Sequence, residues 1–271
     1  MVLSEKRIEK FQRMVLSHYR IHKRNLPWRK ATNPYHILVS EIMLQQTQVL
    51  RVIEKYGQFI KTFPTIKILA AAPLGNILRV WQGLGYNRRA LWLKKIAQQV
   101  TQAHRGVIPE NIETLDSLPG IGRTTASSIC TFAFNQPTVF IETNIRSVFI
   151  HCFLRNKAAI SDGQIITLIK QTLDRRNPRR WYWALMDYGT FIKENNINPN
   201  RKSAHYRRQS TFPGSDRQLR GQIIRALLVK NKRTFSSLQK ETKATAPRLR
   251  KQLNSMHAEH LLQYRDNHFF V

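Results

Sequence analysis

The segment LPGIGRTTA, Leu118 to Ala126, carries the strongest chemical signal in the chain. Two glycines spaced two apart after a proline make a tight turn whose backbone amides point outward. Ala126, Ile129, Cys130 and Ala133 follow at helical spacing, so a helix starts at that turn with its positive dipole end there. Free amides at a helix N-terminus grip a phosphate without reading a base. Leu118 and Ile121 pin such a hairpin to a core, and Gly120, Gly122, Arg123 and Thr124 meet the phosphate. A plain helix–helix turn with a glycine cap is the structural alternative for the same residues.

Metal and thiol chemistry find little support. His18 and His22 share a helix face, as do His257 and His260, but no carboxylate or cysteine completes either set, so no metal site is expected. Cys130 lies on an apolar helix face and Cys152 in an apolar stretch, positions of buried core thiols. Two cysteines without a CxxC build no disulfide framework and suit a reducing compartment.

The elements that position the hairpin read as helices. Val49, Val52, Ile53 and Tyr56 fall on one helical face, and Ala90, Leu93, Ala97 and Val100 repeat the pattern. Pro64, Pro73, Pro109, Pro119 and Pro137 separate these segments. Alternating patterns are nearly absent before residue 260, so the fold class is all-α. Near residue 195 the composition shifts to a polar, basic stretch, NNINPNRKSAHYRRQSTFPGSD, which reads as a linker. Three helical patterns follow, at about 217–230, 236–242 and 246–262. A short hairpin turning at Asp266-Asn267 ends the chain, the order of a winged helix. From Thr211 to Val271 there are twelve basic and four acidic residues, as a nucleic-acid module has. A basic packing module that never touches DNA is the alternative.

Over 271 residues, 45 Lys and Arg face 16 Asp and Glu, a formal net charge of +29. A chain this basic, yet 42% hydrophobic, is a folded binder of a polyanion held by counterion release. The N-terminal stretch has no apolar run of signal-peptide length and no segment approaches a membrane span, so a cytoplasmic, nucleoid-associated protein is expected.

Taken in order, LPWR (Leu26–Arg29), SEIMLQQTQV (Ser40–Val49), GLGY (Gly83–Tyr86), LPGIGRTTA and ALMDYG (Ala184–Gly189) resemble the helix-hairpin-helix (HhH-GPD) DNA glycosylase superfamily. Within it the chain is similar to MutY-type A/G-specific adenine DNA glycosylases, from about Leu26 to Ile192. The resemblance implies two helical lobes with a DNA-binding cleft between them. Residues 1–210 would form the glycosylase domain, with a central lobe of about 30–139 and a second lobe from both flanks. Residues 211–271 would form the winged-helix-like module.

Site residues follow from the same resemblance. Glu41, in EIMLQQT, takes the place of the acid that protonates the leaving base. The sugar left behind is cation-like and needs a second carboxylate. The family places an Asp there in a DGN-like turn, and this chain has Glu142 followed by Thr143 and Asn144. The extra methylene puts full activity in question, since displacements of ~1 Å can cost about a hundredfold in rate. Gln45 and Gln46 would contact the strand opposite, Tyr86 would wedge beside the opposing base, and Trp28, Arg29 and Trp183 would line the base pocket. Relatives with lyase activity carry a Lys just after the hairpin GxGR. Here Thr124 stands there beside Arg123, and neither is a usable amine, which implies base removal by water alone.

Two family features are missing. The stretch after ALMDYG has no cysteine, so no iron–sulfur cluster is expected. Its DNA-facing role would pass to Arg201, Lys202, Arg207 and Arg208. The short C-terminal segment is too helical for the Nudix-like domain that reads oxidised guanine, and Arg248, Arg250 and Lys251 are its candidates for phosphates. The hairpin is compatible with a monovalent cation. The resulting expectation is a monomeric, monofunctional glycosylase of base excision repair, acting on double-stranded DNA with a mismatched or damaged base. Adenine opposite guanine or 8-oxoguanine is the implied substrate. A thymine or uracil mismatch glycosylase, or a DNA-binding protein with weakened catalysis, are the alternatives.

Overall fold

The computed structural model describes residues 1–207 and 211–271. The expected domain boundary at residue 210, with Arg208, lies outside the described residues.

Among them, helices α1 (Glu5–His22), α2 (Pro34–Leu44), α3 (Val49–Thr62), α4 (Ile66–Ala71), α5 (Leu74–Trp81), α6 (Arg88–Ala103) and α7 (Ile112–Asp116) precede the hairpin. Helices α8 (Arg123–Phe134), α9 (Thr143–Phe153), α10 (Asp162–Thr172) and α11 (Pro178–Asn195) follow it. Helices α12 (Asp216–Val229), α13 (Phe235–Thr242) and α14 (Ala246–Ala258) and strands β1 (Gln263–Arg265) and β2 (His268–Phe270) complete the chain. The fold class is all-α, as the periodicity predicts, and the two strands pair antiparallel as the terminal hairpin. Among the described residues no helix is long and apolar enough to cross a membrane.

The chain forms two compact units. One holds residues 1–37, 110–117 and 121 onward to 207. Its core gathers Phe11, Phe149, Trp181, Tyr182 and Leu185, with α11 packed along α9 and α1. These helices bury aromatic rings because their apolar residues recur at helical spacing on one face. Ser161 and Gln164 close a reciprocal capping box at the start of α10.

The other unit holds residues 38–109, 118–120 and the C-terminal segment from 211. There α6 packs on α4 and α5, and α12 on α5, α13 and α14. The expected central lobe therefore differs: residues 121–139 fall in the first unit, and the C-terminal helices share a unit with 38–109. The reason lies in the sequence of α12, whose Leu219, Ile223, Ile224 and Leu227 are all buried and need an apolar partner.

Candidate functional site

The hairpin forms as the sequence predicts. Leu118 and Ile121 are buried and anchor the turn, while Gly122, Arg123 and Thr124 are exposed at the start of α8. Gly120 has φ +74°, and a Cβ there would come 2.2 Å from the Trp92 ring, so only glycine fits. Arg123 has Glu113 3.8 Å away, but both side chains are largely exposed and the pair adds little stability.

Helix α2 is apolar almost all round: Ile37, Leu38, Val39, Ser40, Ile42 and Met43 are buried. Within that run Glu41 alone keeps partial exposure. A helix so buried fixes the carboxylate's position through the packing of its neighbours. Beyond α2, Gln45 donates through Nε2 to the Gly120 carbonyl at 3.2 Å, so that side chain holds the hairpin turn. Gln46, with φ +54°, is the exposed one of the pair.

Arg89, which the sequence motifs do not single out, organises the next turn. Its guanidinium is buried, with 4% of the residue exposed. It donates to the carbonyls of Ile42 (2.9 Å), Met43 (2.8 Å), Leu84 (3.2 Å) and Gly85 (3.2 Å). These bonds satisfy the orphan carbonyls at the end of α2 and tie them to the GLGY turn. Burial lowers the Arg89 pKa to about 10, well above neutrality, so the fork stays charged. Tyr86 follows with φ +46°, a strained value for a tyrosine. Arg89 lies 5.4 Å and Arg217 5.5 Å from its ring centroid, and Arg217 Nη1 donates to its hydroxyl at 2.7 Å. Tyr86 is thus a partly exposed, clamped aromatic and not a core one.

Glu142 is the N-cap of α9. Its Oε1 accepts from the backbone amides of Asn144 (2.8 Å) and Ile145 (2.9 Å), and its Oε2 from Asn144 Nδ2 (3.2 Å). Burial pushes its pKa up, against the lowering effect of those donors and of Lys193. The longer side chain therefore folds back on the helix it starts, and Asn144 is held beside it as expected. The Asn144 Oδ1 is buried without a hydrogen-bond partner.

The three residues expected to line a base pocket sit in different surroundings. Trp28 is buried in the core. Arg29 grips the buried Asp187 of ALMDYG with both terminal nitrogens, at 2.7 and 2.8 Å, and Arg24 adds Nε at 2.5 Å. Burial alone would raise the Asp187 pKa, but these guanidiniums hold it below the ordinary carboxylate range. Arg29 is thus a structural fork, and the LPWR and ALMDYG motifs are the two halves of one ion pair. Trp183 is partly exposed, stacked 6.1 Å from Phe132, with Arg29 5.6 Å from its ring.

The segment after α11 closes on its own unit. Asn200 donates to the Thr143 carbonyl at 3.1 Å, and the Ile160 amide donates to the Lys202 carbonyl at 2.9 Å. Lys202 Nζ donates to the Arg155 carbonyl, so it serves the loop, while Arg201 and Arg207 are exposed. The residues do not fit an iron–sulfur cluster. The chain has two cysteines, both outside this segment. Cys130 donates to the Glu110 carbonyl at 3.3 Å, and burial raises the two thiols to about 11 and about 12. Among the described residues no three His, Cys, Asp or Glu side chains gather as metal ligands.

In the C-terminal helices, Arg248 pairs with Asp216 at 3.0 Å and donates to the Gly214 carbonyl at 2.7 Å. Arg250 lies 5.0 Å over Phe235, and Lys251 is exposed. Arg248 is therefore engaged within its own unit.

The chain matches the family model of the HhH-GPD superfamily base excision DNA repair proteins over residues 39–247. It is 37% identical over 186 residues to an adenine DNA glycosylase of Buchnera aphidicola subsp. Baizongia pistaciae, covering 67% of this chain and 52% of that one. To the adenine DNA glycosylase of Rattus norvegicus it is 36% identical, covering 67% and 38%. To that of Mycolicibacterium smegmatis it is 33% identical, covering 79% and 78%. The chain thus spans about half or less of the length of the first two relatives. A solved thermostable thymine-DNA glycosylase is similar in fold, with TM-score 0.64, 24% identity and coverage of 73% and 92%. So is endonuclease III trapped on DNA, with TM-score 0.55, 18% identity and coverage of 80% and 94%.

Proposed function

The chain belongs to the HhH-GPD superfamily of base excision DNA repair proteins, and we propose that it is a monofunctional DNA N-glycosylase removing adenine mispaired with guanine or 8-oxoguanine. Glu41 donates a proton to the leaving adenine as the N-glycosidic bond breaks and its electrons pass to the base. The Glu142 carboxyl, in the form that has given up its proton against the burial that raises its pKa, offsets the positive charge left on the sugar, with Asn144 and the α9 amides as its donors. Water adds at the anomeric carbon and releases a proton, leaving an abasic site. Thr124 offers no amine for a Schiff base. The protein works without a metal or cluster, as a cytoplasmic monomer on double-stranded DNA.

The observation that carries this reading is Glu41, the one partly exposed side chain in a run of buried residues on α2. The adenine DNA glycosylase relatives support the choice of base. One feature favours a second reading, a DNA-binding protein of weakened catalysis: the Glu142 carboxylate is committed to capping α9.

Duplexes carrying A:8-oxoG, A:G, T:G and U:G, incubated with the protein and then treated with alkali, test both. Cleavage at adenine only after alkali is expected. Scission without alkali removes the monofunctional assignment, excision of thymine or uracil instead changes the substrate, and no cleavage leaves the binding reading. Glu41→Gln is expected to abolish excision while keeping duplex affinity within a few-fold, because Gln fills the space without a proton to give. Retained single-turnover excision removes Glu41 from the mechanism.

A further inference from the structure

Three donors meet the Glu142 carboxyl, and all belong to its own helix: the Asn144 and Ile145 amides and Asn144 Nδ2. These are neutral groups, and burial still pushes the acid's pKa up. A full positive charge reaches the place from another helix. Gly189 of α11 lies so close to Asn144 that a Cβ on it would strike the Asn144 carbonyl. Lys193 stands four residues further along α11, one helical turn, and so on the face that Gly189 turns to α9. There Lys193 is half-buried. Its ammonium makes no contact pair with the carboxylate, so the attraction acts across a gap, in a setting that salt screens little. Lys193 is the foremost charged group acting on Glu142, and Glu142 in turn favours the charged amine. Arg24, just after α1, opposes that ammonium and Glu194 of α11 supports it. Arg24 is itself held by Asp187. The segment after α11 brings a neutral group to the same turn, Asn200, while Lys202 serves the Arg155 carbonyl.

We propose that Lys193 is a positioning residue for base excision, the cation on α11 that keeps Glu142 ionised so that the acid can face the sugar cation. The inference rests on the glycosylase reading for what the ionised acid does, but the pairing itself does not need it. The reaction asks opposite protonation states of its two acids: Glu41 must carry a proton and Glu142 must have lost one. The α9 donors fix where the Glu142 carboxyl sits, and the ammonium favours its charged form over the neutral acid. Without that charge the buried acid keeps its proton to higher pH, and the sugar cation forms with no counter-charge beside it.

Two measurements on the full chain test this. In the first, Tm is followed from acid to neutral pH for the unaltered protein and for Lys193→Met, which keeps the stem and drops the charge; Lys193→Gln serves if the Met variant does not fold. In acid Glu142 holds its proton and gains nothing from Lys193. The Tm of the variant minus that of the unaltered protein is therefore expected to fall as pH rises. The same change made beside Glu142→Gln is expected to lose that trend, which sets the effect of Glu194 apart. A difference flat with pH, or a trend that survives Glu142→Gln, overturns the pairing. In the second, single-turnover excision of adenine opposite 8-oxoguanine is followed against pH. Lys193→Met is expected to move the acid limb to higher pH, lowering the rate there about tenfold, and to leave the alkaline limb, where Glu41 loses its proton, in place. Lys193→Arg keeps the charge and is expected to keep the profile of the unaltered protein. An equal fall at every pH, or the Met profile in Lys193→Arg, overturns the role in excision. Failure of the glycosylase reading shows separately, as no adenine released by the unaltered protein while the Tm trend stands.

Discussion

Gly189 of α11 approaches Asn144 of α9 so closely that a Cβ on it would stand 2.3 Å from the Asn144 carbonyl oxygen. The obstacle is backbone, so it cannot swing aside. The close approach sets α11 against the first turn of α9, the turn that holds Glu142 and Asn144. Gly189→Ala is expected to force the two helices apart, costing about 1–3 kcal/mol as overpacking does. Excision should fall more than the stability loss explains, because Glu142 shifts with its helix. Urea unfolding and single-turnover rates on the same preparation check this. An unchanged rate would show that the position of the cap does not matter to the chemistry.

The Glu142 carboxyl makes a pH prediction. Burial raises its pKa above the ordinary value, despite the three N–H donors it accepts. A carboxyl raised on folding binds its proton more tightly in the native state than in the unfolded chain. Its favourable contribution is therefore full below a pH of about 4.3 and erodes as pH rises through the folded value. Glu142→Gln removes that erosion while Gln can still cap α9. The Tm of the variant minus that of the unaltered protein should grow between acid and neutral pH. A difference that stays flat with pH would mean that Glu142 is not held against its ionisation.

Asp187 shows the opposite sign. Burial works against its charge, but Arg29 and Arg24 hold its pKa below the ordinary range. Its contribution is present above the unfolded value of about 3.9 and is lost as pH falls through the lower folded one. Arg29→Met leaves the buried carboxylate with Arg24 alone, and is expected to cost about 3–5 kcal/mol at pH 7. The loss should shrink as pH falls below the unfolded value towards the lowered folded one, because the contribution of the ionised carboxylate fades there. Chemical denaturation at pH 7 and pH 3 measures it, and equal losses at the two would place the damage elsewhere.

These residues also mark what is legible in the sequence. The hairpin is, because a proline and two glycines ahead of an apolar helical repeat dictate both the turn and the helix start. So is the order of the C-terminal elements, which is written in local spacing. Arg89 and Arg29 are not. Each makes its bonds to groups far along the chain, Arg89 to carbonyls more than forty residues away and Arg29 to Asp187, 158 residues on. No periodicity reports a polar partner at that distance. An arginine beside a stretch of alanine and leucine, as Arg89 is, offers the one available hint of a buried guanidinium. The capping role of Glu142 is legible as the plainer alternative for an acid just before a helix.

The exposed positive charge on α14 gives the last prediction. Removing one phosphate-binding cation should reduce the slope of log K against log salt by about 0.9. The sequence offers Arg248, Arg250 and Lys251 for this, but Arg248 is paired with Asp216 and bonded to the Gly214 carbonyl. That leaves Arg250 and Lys251, both exposed on α14. Replacing those two with Ala should lower the salt slope by about two units and weaken binding alike for every duplex. Arg248→Ala alone should leave the slope nearly unchanged and instead lower Tm slightly, since the exposed pair with Asp216 contributes little. The preference for a mismatched duplex should survive all three changes, because phosphate contacts carry no sequence information. Titrations from low to high salt on matched and mismatched duplexes separate these effects. An unchanged slope for the double variant would mean that α14 faces away from DNA, whatever its charge.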